Sequence, residues 1–392
     1  MALRLGFHYH IPALQKEDGI YTPGYQGRFV DSLAAHCDRL VLFLHTPQPE
    51  EVQRLDYRIQ SPVVELVPIG PHTRLPLRML QAWRYAVPQV WVRRAGLDAL
   101  LLRGPSPLLP LVAWAARPVP TVLLLVGDYL AGIDDLPQPG WRRELIRFWA
   151  LWNRWGQDRV ARRSLTFVNS RKLYEELKGF VPALVETRTT TLSESDFFVR
   201  EDTCAAPPYR LLYTGRMAVE KGLLDLVEAV ALLVEQGEDV VLDLVGWPDR
   251  EDSFLELLRE QAGARGVADR VRYHGYQPVG PELFVFYRQA DLFVIASRSC
   301  FEGFPRSIWE AMAHSLPVVA TEVGSIPYFV AGAASLVPPG RPDRLADAIS
   351  LLLHSPSQRR EQIQRGLALA RTNTLEYQVG RMVSIIQEHI AV

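Results

Sequence analysis

The chain has 392 residues, 43 Lys+Arg against 44 Asp+Glu for a formal net charge of −1, and 48% hydrophobic residues. A chain this long buries a large core without disulfides or metals, and its length suggests two to three domains. Balanced charge and this apolar fraction exclude a globally basic nucleic-acid binder and a mostly disordered chain.

The amino-terminal MALRLGFHYHIP lacks the charged lead and apolar run of a signal peptide. The longest apolar stretches, such as PLLPLVAWAA, fall short of a membrane span of about 20 residues. Cys37, Cys204 and Cys300 are odd in number and lie in no CxxC or Cys/His spacing, so reduced thiols in a cytoplasmic protein are expected.

Short apolar runs at 3–7, 40–44, 63–67, 99–102, 121–126 and 165–168 predict buried strands, with helical stretches between most of them. After residue 208 the pattern repeats, with strands expected at 210–213, 240–245, 271–273, 292–296 and 317–320. Such alternation predicts an α/β protein with two Rossmann-like, doubly wound domains facing a central cleft, with ligands at the carboxyl ends of the strands. The halves differ in charge: residues 1–200 hold 25 Lys+Arg against 19 Asp+Glu, and residues 201–392 hold 18 against 25. The seam is expected at 193–208, where SESDFFVREDTCAAPP breaks the apolar period, which gives domains of 1–195 and 208–374.

A nicotinamide enzyme of this architecture would carry G-x-G-x-x-G at a first strand-to-helix turn, and neither LGFHYHIPALQKEDG nor LYTGRMAVEKG contains it. The sequence also has no P-loop, HExxH or GxSxG.

Two segments carry chemistry. YTGRMAVEKG, residues 213–222, joins the strand RLLY to the helix LLDLVEAVALL, so that Arg216 and Lys221 can converge on an anion at a helix amino terminus. Lys221 is the only lysine after residue 178, which suggests that a compact ammonium suits the position. A solvated loop with a charge at a helix start is the plainer alternative. In SRSCFEGFPRSIWEAMAHSLPVVAT, residues 297–321, Glu302 and Glu310 are separated by seven residues. A helix starting near Pro305, with that proline in its first turn, would aim the amides of Phe304, Arg306 and Ser307 at an anion, and the two glutamates would suit sugar or ribose hydroxyls. The alternative is a helix with acids near its start and a buried AMA face.

Together these motifs resemble the retaining glycosyltransferases of family four, which have the two-domain GT-B fold and transfer a sugar from a nucleotide-diphosphate donor. GRMAVEKG is similar to that family's G-R-x-x-x-x-K-G and EGFPRSIWE to its E-x7-E element. The likeness is firm over 210–349 and covers the first half only as a general pattern. It implies that Gly215, Arg216 and Lys221 bind the donor diphosphate, that Glu302 binds the transferred sugar and Glu310 the ribose, and that Gly303, Phe304, Arg306 and Ser307 line the site. KEDGIYTPGYQGRFV, with Gly19, Gly24 and Gly27, occupies the place of the family's glycine-rich loop. Where the family has a pair of glycines and a glutamate, this chain has Gly324, Ser325 and Tyr328. Where the family commonly has a histidine after an amino-terminal strand, this chain offers Asp128, which could orient a substrate hydroxyl or cap a helix.

Breaking the sugar–diphosphate bond leaves negative charge on the diphosphate, which fixed cations and helix amides stabilise. D-x-D is absent and Asp134 and Asp135 are adjacent in a proline-flanked loop, so no metal or other cofactor is expected. The resemblance further implies retention at the anomeric carbon and a UDP-sugar ahead of a GDP-sugar. It also implies a place in bacterial surface polysaccharide or glycolipid assembly at the inner membrane face. A nucleotide-sugar-binding scaffold without turnover is the alternative.

Residues 141–163 hold seven Arg, four Trp and two acids, with Trp141, Leu145, Phe148, Trp152 and Trp155 at helical spacing. Such a stripe reads first as the core face of a domain helix. The alternative is a surface resting on an anionic membrane or a lipid-linked acceptor, an option shared by the basic aromatic segment 78–94. His8 and His10, expected just after the first strand, either reach a glycan acceptor or are polar loop residues. A last helix over 375–390 is expected to cross back to the first domain.

Overall fold

The computed structural model describes residues 3–130, 133, 139–247, 253–299, 304–330 and 332–391. Cys300, Glu302, Gly303, Asp134 and Asp135 therefore lie outside the described residues. The chain forms two compact units, Met1–Thr189 with Leu375–Val392 and Thr190–Thr374.

The first unit contains strands β1 (Arg4–Pro12), β2 (Leu14–Lys16), β3 (Gly19–Thr22), β4 (Arg39–Thr46), β5 (Tyr57–Arg58), β6 (Val64–Pro71), β7 (Ala99–Gly104), β8 (Thr121–Leu125), β9 (Leu165–Val168) and β10 (Leu184–Glu186). Its helices are α1 (Gly24–Ala34), α2 (Leu75–Arg93), α3 (Leu109–Ala115), α4 (Gly140–Ala161) and α5 (Arg171–Leu177). The second unit contains β11 (Tyr209–Thr214), β12 (Val240–Val245), β13 (Val271–Tyr273), β14 (Leu292–Ile295), β15 (Val318–Thr321) and β16 (Ser335–Val337). Around them lie α6 (Leu223–Glu235), α7 (Ser253–Ala264), α8 (Pro281–Gln289), α9 (Arg306–Ala313), α10 (Ile326–Val330), α11 (Pro342–His354) and α12 (Pro356–Arg371). Helix α13 (Leu375–Ile390) returns to the first unit.

Both main sheets are parallel, with order β10-β9-β8-β7-β1-β4-β6 in the first unit and β13-β12-β11-β14-β15-β16 in the second. Their strands are predominantly apolar because both faces are covered; every residue of β12 is buried, Asp243 included, which pairs with Arg210 at 2.9 Å. In the first unit one face packs on α1 and α13, through Val30, Leu33, Val379 and Met382, and the other on α2 and α3, through Ala86, Val90 and Val112. In the second, α6, α7 and α11 cover one face and α8, α9 and α10 the other. Each sheet starts at its centre and reverses direction there, between β1 and β7 and between β11 and β14, which are the switch points of doubly wound sheets.

Several expectations need correcting. Segment 16–30, expected as a glycine-rich loop, is built of regular elements. It forms the β2–β3 hairpin, which with β5 makes a small antiparallel sheet, and then opens α1. Gly19 begins β3, and Gly24 opens α1 with its amide donating to Asp56 Oδ1 at 2.7 Å. Gly27 lies against Tyr57, where a Cβ would stand 2.1 Å from the ring. Residues 193–208, expected as a seam, fall within the second unit, which begins at Thr190: Arg200 donates to Ala290 O at 2.6 Å. β10 and β16, three residues each, were too short for periodicity to show. The aromatic stripe of α4 does not face the core. The buried residues of α4 are Ala150, Asn153, Gln157 and Ala161, while Phe148 is 69% exposed and Trp152 61%.

Candidate functional site

The two motifs occupy the loops that follow β11 and β14, the neighbouring strands at the second sheet's switch point. The turn after β11 is held by its own backbone. Gly215 N donates to Val245 O at 3.0 Å, Met217 N to Trp247 O at 2.8 Å, and Tyr213 OH to Arg216 O at 2.8 Å. Gly222 has φ +65°, and a Cβ there would lie 1.9 Å from Ala296 O, so only glycine permits this approach to the loop after β14. Arg298 fastens that loop to the turn: its amide donates to Glu220 O at 2.9 Å and its guanidinium pairs with both oxygens of Asp225, Nε to Oδ2 at 2.6 Å.

Arg216 is about two-fifths exposed, with Nη2 3.3 Å from Glu220, a contact between half-exposed groups worth less than about 1 kcal/mol. Lys221 closes a single 3-10 turn directly ahead of Gly222, the capping residue of α6. Across the switch point, Pro305 caps α9 rather than sitting in its first turn. Arg306 and Ser307 open the helix, where amides lack an intrahelical carbonyl. The Phe304 ring stacks on Trp309 at 4.2 Å and anchors that start to the core.

Glu310 is buried and already held. It accepts from Thr191 Oγ1 at 2.6 Å and from Tyr287 OH at 2.7 Å. The Tyr287 hydroxyl is also 2.6 Å from Thr214 Oγ1, at the end of β11. Burial first, and then the Glu310 charge, push the Tyr287 phenol well above its usual range, so it stays a donor. Each Glu310 oxygen keeps room for a second donor.

The first unit's switch point is of another kind. His8 and His10 lie within β1 rather than after it, because the strand runs on to Pro12. The His8 ring is buried, with Nδ1 donating to Phe43 O at 2.9 Å and Nε2 3.3 Å from Ser106 Oγ across the switch. Burial pushes His8 down to about 4, His10 to about 3 and His45, on β4, to about 2, so all three rings are neutral at pH 7. His10 Nδ1 and His45 Nε2 are buried with no hydrogen-bond partner among the described residues. His72 stands between the His10 carbonyl, at 2.8 Å, and Glu51, at 2.6 Å. It borders an open pocket of about 580 Å³ that is also lined by Gln48, Thr73 and Arg74. Asp128 caps no helix among the described residues; its carboxylate accepts from Leu130 N at 3.2 Å and meets Arg154 at 3.5 Å.

The structure thus gathers Gly215, Arg216, Lys221, Phe304, Arg306, Ser307 and Glu310 around one switch point. Gly19, Gly24, His8, His10 and Asp128 belong to the other unit. Sequence reasoning missed Thr191, Tyr287, Asp225 and Arg298, whose partners are distant in the chain, and His45 and His72. Only the placement of His45 near the end of a strand could have flagged it. Among the described residues no group of three or more His, Cys, Asp or Glu is placed to hold a metal ion.

Residues 208–355 match the model of the glycosyl transferases group 1 family. The chain is 31% identical over 183 residues to D-inositol 3-phosphate glycosyltransferase of Corynebacterium glutamicum, covering 46% of this chain and 43% of that protein. It is 35% identical over 161 residues to O-antigen chain mannosyltransferase B of Escherichia coli, 41% of each chain. These matches span less than half the length of either relative. Among solved structures, sucrose-phosphate synthase of Thermosynechococcus elongatus superposes with a TM-score of 0.73 over 99% of both chains at 19% identity. HepE of Anabaena in complex with UDP gives 0.70 over 99% of this chain and 100% of that one, also at 19% identity. Those likenesses establish the fold. The second unit thus carries a glycosyl transferases group 1 domain, and the two Rossmann-like units have the GT-B fold of those solved structures.

Proposed function

We propose that this protein is a retaining glycosyltransferase that moves a sugar from a nucleotide-diphosphate donor, UDP ahead of GDP, to a glycan or lipid-linked acceptor without a metal. The observation that carries this reading is the convergence of Arg216, Lys221 and the start of α9 on one switch point, where Gly222 and Arg298 hold the two loops together. Such a crevice offers cations and helix-start amides to a diphosphate. As the bond from the anomeric carbon to the diphosphate oxygen breaks and the bond to the acceptor oxygen forms, Arg216 and Lys221 stabilise the charge left on the diphosphate, which takes the acceptor's proton. Glu310 receives the ribose hydroxyls with the oxygen capacity that Thr191 and Tyr287 leave. Glu302 is assigned to the sugar on the motif alone. The HepE structure holds UDP in a like fold, which supports the preferred base.

The test is the shift in melting temperature with UDP, GDP, ADP, CDP or dTDP, each in EDTA, for the wild type and Arg216→Ala. Ligand at about 100 times its Kd adds roughly 2.7 kcal/mol of stability. A shift with UDP in EDTA that Arg216→Ala loses supports the reading, while no shift with any nucleotide overturns the donor site. The anomeric configuration of the product, read by NMR, tests retention.

A further inference from the structure

We propose that the outer face of α2, α3 and α4 is a docking surface for an anionic lipid bilayer, through which the first unit rests on a membrane without crossing it. Helix α4 is amphipathic in the inverted sense: Ala150, Asn153 and Gln157 point inward and Trp141, Phe148, Trp152 and Trp155 point to solvent. The same holds in α2, where Ala82, Ala86 and Val90 are buried and Leu80 and Trp91 are exposed. The three helices are neighbours. Trp83 of α2 meets Trp114 of α3 at 5.6 Å, and Pro110 of α3 lies so close to Gly156 of α4 that a Cβ there would stand 3.0 Å from it.

Charge selects the occupant. Residues 74–94 contain five arginines and no acid, and residues 141–163 contain seven arginines against two acids. Of those acids, Glu144 pairs with Arg147 at 3.0 Å and Asp158 lies 3.9 Å from Arg154. Arginine guanidinium groups cover the rings, Arg94 over Trp91 at 3.4 Å and Arg142 over Trp141 at 5.1 Å. A second copy of this chain would set arginine against arginine across a twofold axis. Anionic headgroups supply the opposite sign in a plane, with phosphates for the forked guanidinium and an interfacial layer that favours tryptophan. No helix among the described residues is long and apolar enough to cross a membrane. The inference stands apart from sugar transfer, since the surface lies on the first unit and the donor motifs on the second.

The experiment is co-sedimentation of the full chain with vesicles of phosphatidylcholine alone or with added phosphatidylglycerol, at low and high salt. The variants are Phe148→Ser/Trp152→Ser/Trp155→Ser and Arg159→Glu/Arg162→Glu/Arg163→Glu. Binding roughly tenfold stronger to the phosphatidylglycerol vesicles is expected, weakened by salt and lost in both variants while their melting and UDP shifts stay as in the wild type. Equal binding to both vesicle types, variants that bind like the wild type, or a dimer that the aromatic variant splits would each overturn the inference. Loss of the UDP response with vesicle binding intact would remove the donor reading alone.

Discussion

Helices α6 and α4 carry apolar stripes of the same period and face opposite ways. In α6 the large apolar residues Leu223, Leu226 and Leu233 are fully buried against the second sheet. In α4 alanine and amide side chains take that place and the tryptophans stand outside. A 3.6-residue period shows that a helix has two faces, and only its neighbours decide which one is covered.

The two switch points differ in the same spirit. One sheet topology presents cations and helix amides in the second unit and neutral, buried histidines in the first. The arrangement in the second unit suits an anion, and that in the first carries no charge on its histidines at pH 7.

The sharpest break of the helix comparison is Leu226→Ala. It should cost about 2–5 kcal/mol in denaturant unfolding, because the site is fully buried. At the switch point, Arg216→Ala removes one charge-assisted contact worth about 1.5–3 kcal/mol, so UDP affinity by calorimetry should fall about ten- to a hundredfold with the fold unchanged. The first unit should be the acid-sensitive one. The unfolded chain protonates histidine near pH 6.5 while buried His8 resists down to about 4, so stability is complete above 6.5 and falls as pH drops through that window. For His8 the loss approaches about 1.4 kcal/mol per pH unit, and hydrogen exchange at pH 7.5 and pH 5 should show β1 and β4 opening before β11 and β12. The smallest effect belongs to Trp152→Ser, which should change stability by no more than about 0.5 kcal/mol. A cost like that of Leu226→Ala would mean that α4 is covered after all.

The central strands of both sheets were legible because 40–44 in β4 is an unbroken apolar run and β12 is apolar but for Asp243, as parallel sheets covered on both faces require. The short edge strands and the β2–β3 hairpin were not, since three residues carry no period. In the site, Arg216, Lys221 and the start of α9 were readable because the spacing of a strand-to-helix turn is local. Tyr287, Thr191 and Arg298 were hidden because each acts through a partner remote in the chain.

The sequence by itself determined the alternation of strands and helices and the charged turn at 213–222, because backbone periodicity and turn chemistry act within a few residues. The tertiary structure alone decided that β11 and β14 lie side by side, that Glu310 is clasped by Thr191 and Tyr287, that His8 is a buried strand residue and that the tryptophans of α4 face outward. Each of those depends on which surfaces meet, and burial is a property of the packed neighbours rather than of the segment.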